Sequence, residues 1–312
     1  MSYDMSGKKV WVAGHGGMVG RAVVRRLDEE PIDSLIVASS SEVDLTRQEE
    51  TERFVTESQP DVAILAAARV GGIHANRSAQ ADFLYDNLMI AANCLRACQL
   101  ADVEKVAVLG SSCIYPAEAP QPMKESYLLT GPLETTNEGY AIAKIAALEY
   151  GKMQRRQYGS DVVSLMPTNL YGPGDNYDLE TSHVLPALIR KTHEAKAAGN
   201  PTMALWGSGR PRREFLHVND LADAVVFLLK EYSGEEHINV GTGVDISIIE
   251  LADLIGSVVG WEGDYVFDAT MPDGVMQKLL DVSRLTELGW EASISLERGI
   301  EMTYNTFLAE TK

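Results

Sequence analysis

Tyr140 and Lys144 stand four residues apart in Tyr140-Ala-Ile-Ala-Lys144, a spacing that puts both side chains on one face of a helix. They make half of a proton-transfer apparatus. A phenol exchanges a proton with a carbonyl oxygen, and an ammonium beside it favours the phenolate. The other half is a hydroxyl that orients the carbonyl, and Ser111 of Gly110-Ser-Ser-Cys-Ile-Tyr-Pro116 can supply it. Tyr-x-x-x-Lys arises often by chance, so its surroundings carry the argument.

Those surroundings are a strand ending at the serine. Lys105-Val-Ala-Val-Leu109 has the length and β-branched content of a buried parallel strand. Gly110-Ser-Ser leaves it at the carboxyl end, where open α/β sheets bind ligands. Earlier, Lys9-Val-Trp-Val-Ala13 reads as a first strand, followed by Gly14-His-Gly-Gly17-Met-Val-Gly20 and helical periodicity over Met18–Glu29. Glycines at 14, 17 and 20 allow a tight turn, close approach of backbone to a pyrophosphate, and close packing of helix on strand. The spacing G-x-x-G-x-x-G differs from G-x-G-x-x-G, although Gly16 blurs the distinction.

Further strands are expected at Leu35–Ala38, Asp61–Leu65 and Asp161–Met166, with helices over Arg47–Glu57 and Ala79–Ala101 and a small-residue loop at Ala66–Gly72. The alternation predicts an α/β fold built on a doubly wound parallel (Rossmann) sheet. Beyond Tyr171 it loosens into helix His183–Ala197, strand Met203–Trp206, helix Asp220–Lys230, strand His237–Val240 and helix Ser247–Val259. The expected organisation is a dinucleotide-binding domain over mainly residues 1–170, with a return at about 214–242. A smaller interleaved α/β substrate-binding domain occupies mainly 171–312.

The chain has 312 residues, 45% of them hydrophobic, and a formal net charge of −18. That charge argues against a general nucleic-acid binder, but an anionic small molecule needs only a few local donors. No stretch has the roughly 18 apolar residues of a membrane span, so no membrane partner is expected. Three cysteines form no disulfide framework or zinc pattern. Cys94 and Cys98, flanked by Ala, Leu and Ile, read as core rather than metal ligands, and no metal site is expected. With no apolar signal core near Met1, a reducing cytoplasm is the simplest setting.

Longer strings join these features: Thr136-Asn-Glu-Gly-Tyr-Ala-Ile-Ala-Lys144, Met166-Pro-Thr-Asn-Leu-Tyr-Gly-Pro173, Trp206-Gly-Ser-Gly, Arg213-Glu-Phe-Leu-His-Val218 and His237-Ile-Asn-Val-Gly-Thr-Gly-Val-Asp245. With the glycine loop and Gly110–Pro116, they resemble the extended short-chain dehydrogenases/reductases acting on nucleotide sugars. The resemblance runs from Gly14 to Trp290. It implies 3,5-epimerisation of GDP-4-keto-6-deoxy-D-mannose followed by hydride reduction at C4, with a GDP-sugar as substrate and NADP(H) as cofactor, NAD(H) not excluded. By it, Cys113 removes protons at C3 and C5 and His183 returns them to the opposite face. Tyr140 supplies a proton at C4, Lys144 lowers its pKa, and Ser111 holds the carbonyl. Read from the residues alone, Cys113 is a small buried apolar residue and His183 a lone histidine at a helix start; their placement in the matching strings reverses that reading.

The same resemblance implies cofactor contacts from Gly14, His15, Gly16, Gly17, Met18, Val19 and Gly20, from Ser40 and Leu45 after the second strand, and from Ala67 after the third. Leu109, Gly110 and Ser112 would line the fourth strand's end, Pro167, Thr168, Asn169 and Leu170 the fifth, with Lys144 and His183 beside them. Lys191, Trp206, Arg213 and Asp273 would contact the substrate, although Asp273 in Pro272-Asp-Gly274 also reads as a turn aspartate. Dimerisation would use the Ala79–Ala101 and Tyr140–Tyr158 helices.

One departure stands out. The family often carries arginines in the glycine loop and after the second strand, suited to the 2′-phosphate of NADP, and here those positions are Gly16 and Ser40. No acidic residue closes the second strand either. Ser39, Ser40 and Ser41 could bond a phosphate, and Arg69 could reach it. A 4,6-dehydratase would carry Asp-Glu where Cys113-Ile114 stands, and a C4-epimerase needs neither Cys113 nor His183. A non-catalytic dinucleotide sensor would not need an intact Tyr-Lys pair.

Overall fold

In the computed structural model, which describes residues 2–72, 78–270 and 273–311, the first strand, β1 (Lys9–Ala13), sends its side chains alternately into two different cores. Val10 and Val12 join one cluster, and Trp11 and Ala13 the other. A strand with both faces covered is what an all-parallel sheet requires. The sheet has six strands in the order β2 (Ser34–Ile36), β1, β3 (Val62–Leu65), β4 (Lys105–Leu109), β5 (Val162–Pro167) and β9 (Ile238–Val240), every pair parallel.

Helices Met18–Leu27 and Val218–Glu231 cover one face. Helices Gln48–Ser58, Gln80–Leu100 and Glu138–Tyr158 cover the other. Cys94 and Cys98 lie in that second core, and burial pushes the Cys94 thiol up to about 12.

The chain steps from β1 to β2 on one side and then crosses to β3 on the other, so the switch point lies between β1 and β3. The loops after these strands meet there. A Cβ on Gly14, whose φ is +81°, would lie 2.6 Å from the Ala67 backbone. The third strand's small-residue loop is thus required by the glycine loop's approach.

The remaining chain builds a second layer. A sheet runs β10 (Asp245–Ser247), β8 (Arg212–His217), β12 (Gln277–Lys278), with β6 (Asn169–Tyr171) also on β8, and β7 (Thr202–Trp206) pairs with β11 (Asp264–Asp268). Helices Val184–Ala198, Ile248–Val259 and Leu296–Glu310 pack around Tyr171, Leu185, Phe215, Leu251 and Phe307. Three α-helix starts among the described residues are set by side-chain caps, one of them by Ser295, whose hydroxyl accepts from the Arg298 amide at 3.3 Å. His217 Nδ1 accepts from the Asn219 amide at 3.3 Å, which starts that helix two residues before the expected Asp220. Ser247 and Glu250 form a capping box. Helix Leu296–Glu310 and strands β10 to β12 lie beyond the periodicity read above.

Candidate active site

The site begins where β4 ends. Gly110 leaves the strand against the Met166 side chain, with which any Cβ would collide. Ser111 then caps a short 3-10 turn over Ser112–Ile114, its Oγ accepting from the Cys113 amide at 3.3 Å. Ser112 and Cys113 are both buried.

Helix Glu138–Tyr158 carries the pair identified from spacing. The Lys144 Nζ lies 5.6 Å from the Tyr140 ring centroid and donates to the Leu109 carbonyl at 2.7 Å. That bond ties the helix to the end of the strand that Ser111 follows. Burial lowers the Lys144 pKa to about 8, opposed by its attraction to Cys113, so the group is still mainly a cation at neutral pH. Burial and then Cys113 push the Tyr140 phenol above its ordinary value, which keeps it protonated as a donor. Burial also raises the Cys113 thiol, with the Ser111 hydroxyl, Lys278 and Lys144 pulling the other way. The structure therefore brings Ser111, Cys113, Tyr140 and Lys144 into one electrostatic neighbourhood.

His183 stands at the N-cap position of helix Val184–Ala198, with no capping bond from its side chain. Its ring is open to solvent, yet enough protein surrounds it to lower its pKa and favour neutral imidazole. The preceding loop reaches the end of β3, where the Gly72 amide donates to Thr181 carbonyl at 2.9 Å. This puts His183 at the sheet's carboxyl edge.

The glycine loop fits the pyrophosphate of a dinucleotide. A Cβ on Gly20 would strike Gly14 and His15, whereas one on Gly16 would meet nothing within 4 Å. The loop is packed behind and open in front. Gly17 caps the helix, so the amides of Met18, Val19 and Gly20 are those left for an anion. His15 Nδ1 is buried and has no partner within the protein. Ser40 is exposed after β2, and the Leu45 carbonyl accepts from Asn93 at 3.0 Å.

At the end of β5, Pro167 closes the strand and Leu170 packs on the sheet core. The Thr168 hydroxyl (3.3 Å) and the Asn169 amide (2.7 Å) both donate to the Glu214 carbonyl. These side chains therefore hold the end of β5 to β8, while the Thr168 amide donates to the Val240 carbonyl at 3.0 Å.

The substrate candidates lie in the second layer. Lys191 Nζ sits 4.7 Å from the Trp206 ring centroid, and Trp206 is 52% exposed. Asp273 accepts from both the amide (2.6 Å) and the hydroxyl (2.8 Å) of Ser208, so its carboxylate holds the turn that follows Trp206. Arg213 donates to the Arg212 carbonyl at 2.8 Å. Among the described residues Lys191, Arg213 and Lys278 have no carboxylate within ion-pair distance, in a chain of net charge −18. Burial pushes all three cations below their ordinary pKa values, which an incoming anion would relieve.

Two residues went unnoticed in the sequence. Lys278 pairs in register with Arg213 across β12 and β8 and acts electrostatically on Cys113. Glu214, fully buried, accepts from the amides of Thr242 (2.6 Å), Gly243 (2.8 Å) and Leu280 (2.9 Å) and so joins three segments around Arg213. Glu214 stands inside a quoted motif and was legible at least as an acidic residue in an apolar strand. Lys278 carried no signal.

A dinucleotide fold with serine, tyrosine and lysine converging at its ligand edge defines a short-chain oxidoreductase or epimerase. The chain belongs to the NAD dependent epimerase/dehydratase family, whose model matches residues 10–241. It is 53% identical to a GDP-L-fucose synthase of Sinorhizobium fredii over 98% of each chain. In structure it is similar to a GDP-6-OMe-4-keto-L-xylo-heptose reductase from C. jejuni, with a TM-score of 0.92 and 34% identity over 99% of this chain and 100% of that one. It is also similar to a GDP-L-fucose synthetase from Naegleria fowleri bound to NADP, with a TM-score of 0.89 and 27% identity over 100% and 97% of the two chains.

Proposed function

We propose that this chain is a bifunctional epimerase and reductase that forms GDP-L-fucose from GDP-4-keto-6-deoxy-D-mannose with NADP(H). One juxtaposition carries the reading. Cys113 shares a turn with Ser111 and lies within electrostatic reach of Tyr140 and Lys144. A plain reductase has no use for that thiol. The 53% identity to a GDP-L-fucose synthase supports the same substrate.

In the proposed cycle the diphosphate lies on Lys191 and Arg213 while Trp206 packs on the nucleoside. Ser111 Oγ donates to the C4 carbonyl, which acidifies the C–H bonds at C3 and C5. Cys113, ionised with help from Lys144 and Lys278, takes each proton, and His183 delivers one to the opposite face. Exposure lets the His183 ring exchange with solvent. When bound, a nicotinamide dinucleotide supplies the hydride for C4. The Tyr140 hydroxyl then gives its proton to the C4 oxygen, and the Lys144 cation stabilises the phenolate left behind. Gly14 to Gly20, Ala67, Leu109 to Ser112 and Pro167 to Leu170 are the segments that would hold that dinucleotide.

This reading carries a division of labour, with dinucleotide binding mainly in residues 1–170 and the 214–242 return, and substrate binding mainly in 171–312. It also carries a homodimer. Tyr85 and Leu88 on one helix, and Ile142 and Met153 on the helix packed against it, are exposed apolar side chains suited to a second copy. A reducing cytoplasm suits three free, buried cysteines. No helix among the described residues is long and apolar enough to cross a membrane.

The test is incubation with GDP-4-keto-6-deoxy-D-mannose and NADPH in deuterated water, followed by NMR. Deuterium at C3 and C5 together with a reduced C4 is the expected product. Reduction without exchange would leave a 4-reductase and remove Cys113 from the chemistry.

A further inference from the structure

We infer that this chain takes NADH as readily as NADPH, because the Glu42 carboxylate already occupies the Ser39 donors that a 2′-phosphate would use and no lysine or arginine faces them. The inference rests on the dinucleotide reading above. After β2 the chain makes a serine loop, Ser39-Ser40-Ser41, placed where a dinucleotide bound at the β1–β3 switch point lays its adenosine ribose. From sequence the loop offers hydroxyls to a phosphate. In the fold Ser39 and Ser41 are engaged within the loop, and Ser40 alone keeps a free, exposed hydroxyl among the three. Glu42 folds back so that its Oε2 accepts from both the amide and the hydroxyl of Ser39 at 2.7 Å, and Ser39 Oγ lies 2.9 Å from Ser41 Oγ.

The carboxylate that the end of the second strand lacks is thus restored by the loop. Its other oxygen, Oε1, accepts nothing from the described residues, which leaves it for a ribose 2′-hydroxyl. That is the bond by which acidic residues select NAD.

The nearby cations are engaged elsewhere. Arg69 is held by Asp86 at 2.8 Å and Asp82 at 3.8 Å, its guanidinium 5.0 Å from the Phe83 ring centroid. Arg47 faces Asp44 at 3.7 Å. Gly16 contributes space, and Ser40 an exposed hydroxyl. Glu42 does interact electrostatically with His15, whose effect on an incoming phosphate would be far weaker than that of two arginines. A 2′-phosphate carries between one and two negative charges and would meet a carboxylate there, so its usual contribution to affinity is cancelled.

The experiment titrates the unaltered protein with NADPH and NADH, following nicotinamide fluorescence. In parallel, 2′,5′-ADP and 5′-AMP, which present only the ribose end, are titrated by calorimetry. Dissociation constants for NADPH and NADH are expected within about tenfold of each other, with 2′,5′-ADP no tighter than 5′-AMP. Glu42→Gln should tighten 2′,5′-ADP severalfold. Ser40→Arg should shift the NADPH to NADH affinity ratio about tenfold or more toward NADPH. Thermal melting checks that each variant folds. A preference of the unaltered protein for NADPH beyond about tenfold overturns the inference, as does a Glu42→Gln protein that folds and binds 2′,5′-ADP no better. Failure to bind either dinucleotide would overturn the dinucleotide reading itself, and this inference with it.

Discussion

The Lys144 ammonium donates to the Leu109 carbonyl at 2.7 Å, a bond between residues 35 positions apart that joins the helix bearing Tyr140 to the end of the strand that Ser111 follows. Lys144 is almost fully buried there, with no carboxylate beside it. Burial pushes its pKa down, the direction expected of a cation held out of water.

Lys144→Met should therefore separate stability from activity. A folded-state pKa of about 8 against an ordinary 10.5 makes the unfolded chain the better proton binder between these values. Stability of the unaltered protein should rise as pH climbs through that window. The shift corresponds to about 3 kcal/mol at neutral pH, reduced by roughly 1 kcal/mol for the lost hydrogen bond. The variant, melted without dinucleotide at pH 7, should be more stable by about 1–2 kcal/mol while losing reduction by at least about 100-fold. A variant melting below the parent would show that the ammonium stabilises the fold.

Tyr140→Phe should block reduction, because it removes the hydroxyl that gives its proton to the C4 oxygen in the proposed cycle. A loss of about 1,000-fold in kcat is expected, with deuterium exchange at C3 and C5 still visible by NMR. Full reduction in this variant would defeat the assignment.

Cys113→Ser should abolish that exchange, since an alcohol ionises far less readily than a thiol. In the unaltered protein, burial raises the thiol above its ordinary value, so thiolate remains a minority at neutral pH. The exchange rate should accordingly climb from pH 7 into the alkaline range. A flat profile would mean that the thiolate is not the base.

Asp273 makes a finer prediction, because its carboxylate is engaged with Ser208 and not pointed at a ligand. Asp273→Asn retains an acceptor for the Ser208 amide and should keep KM for the GDP-sugar within about threefold. Asp273→Ala frees the turn behind Trp206 and should raise KM about tenfold with kcat little changed. Equal defects in both variants would favour a direct, charge-dependent contact with substrate.

Glu214→Ala removes the acceptor shared by three backbone amides. Leaving the buried Leu280 amide unpaired, with the Thr242 and Gly243 amides turned to water, should cost about 1–3 kcal/mol and lower the melting temperature by a few degrees. A variant as stable as the parent would show that the Arg213 strand is held by its ladder bonds alone.

Much of the site was legible before the fold was known, where its determinants are local. Tyr140 and Lys144 are neighbours because a helix repeats every 3.6 residues. Gly14 is recognisable because only glycine takes a φ of +81° without strain, and Gly110 stands where a strand must end against Met166. Where side chains pair over long distances, the reading stopped short. Periodicity placed the second strand over Leu35–Ala38, but the parallel ladder ends at Ile36, where the chain turns into the serine loop. The small-residue loop after the third strand was visible, whereas its collision with Gly14, which fixes its shape, was not.

By itself, then, the sequence determined the parallel sheet, the glycine turn, the strand-end serine and the tyrosine–lysine pair, because each follows from short-range geometry that composition and spacing encode. Tertiary structure alone decided that Lys278 stands near Cys113, that Glu214 joins three segments around Arg213, and that Asp273 holds a turn. It alone turned Glu42 back onto Ser39. These depend on which strands become neighbours, in what register, and on how a loop closes. A one-residue shift of β12 along β8 would move Lys278 to the other face.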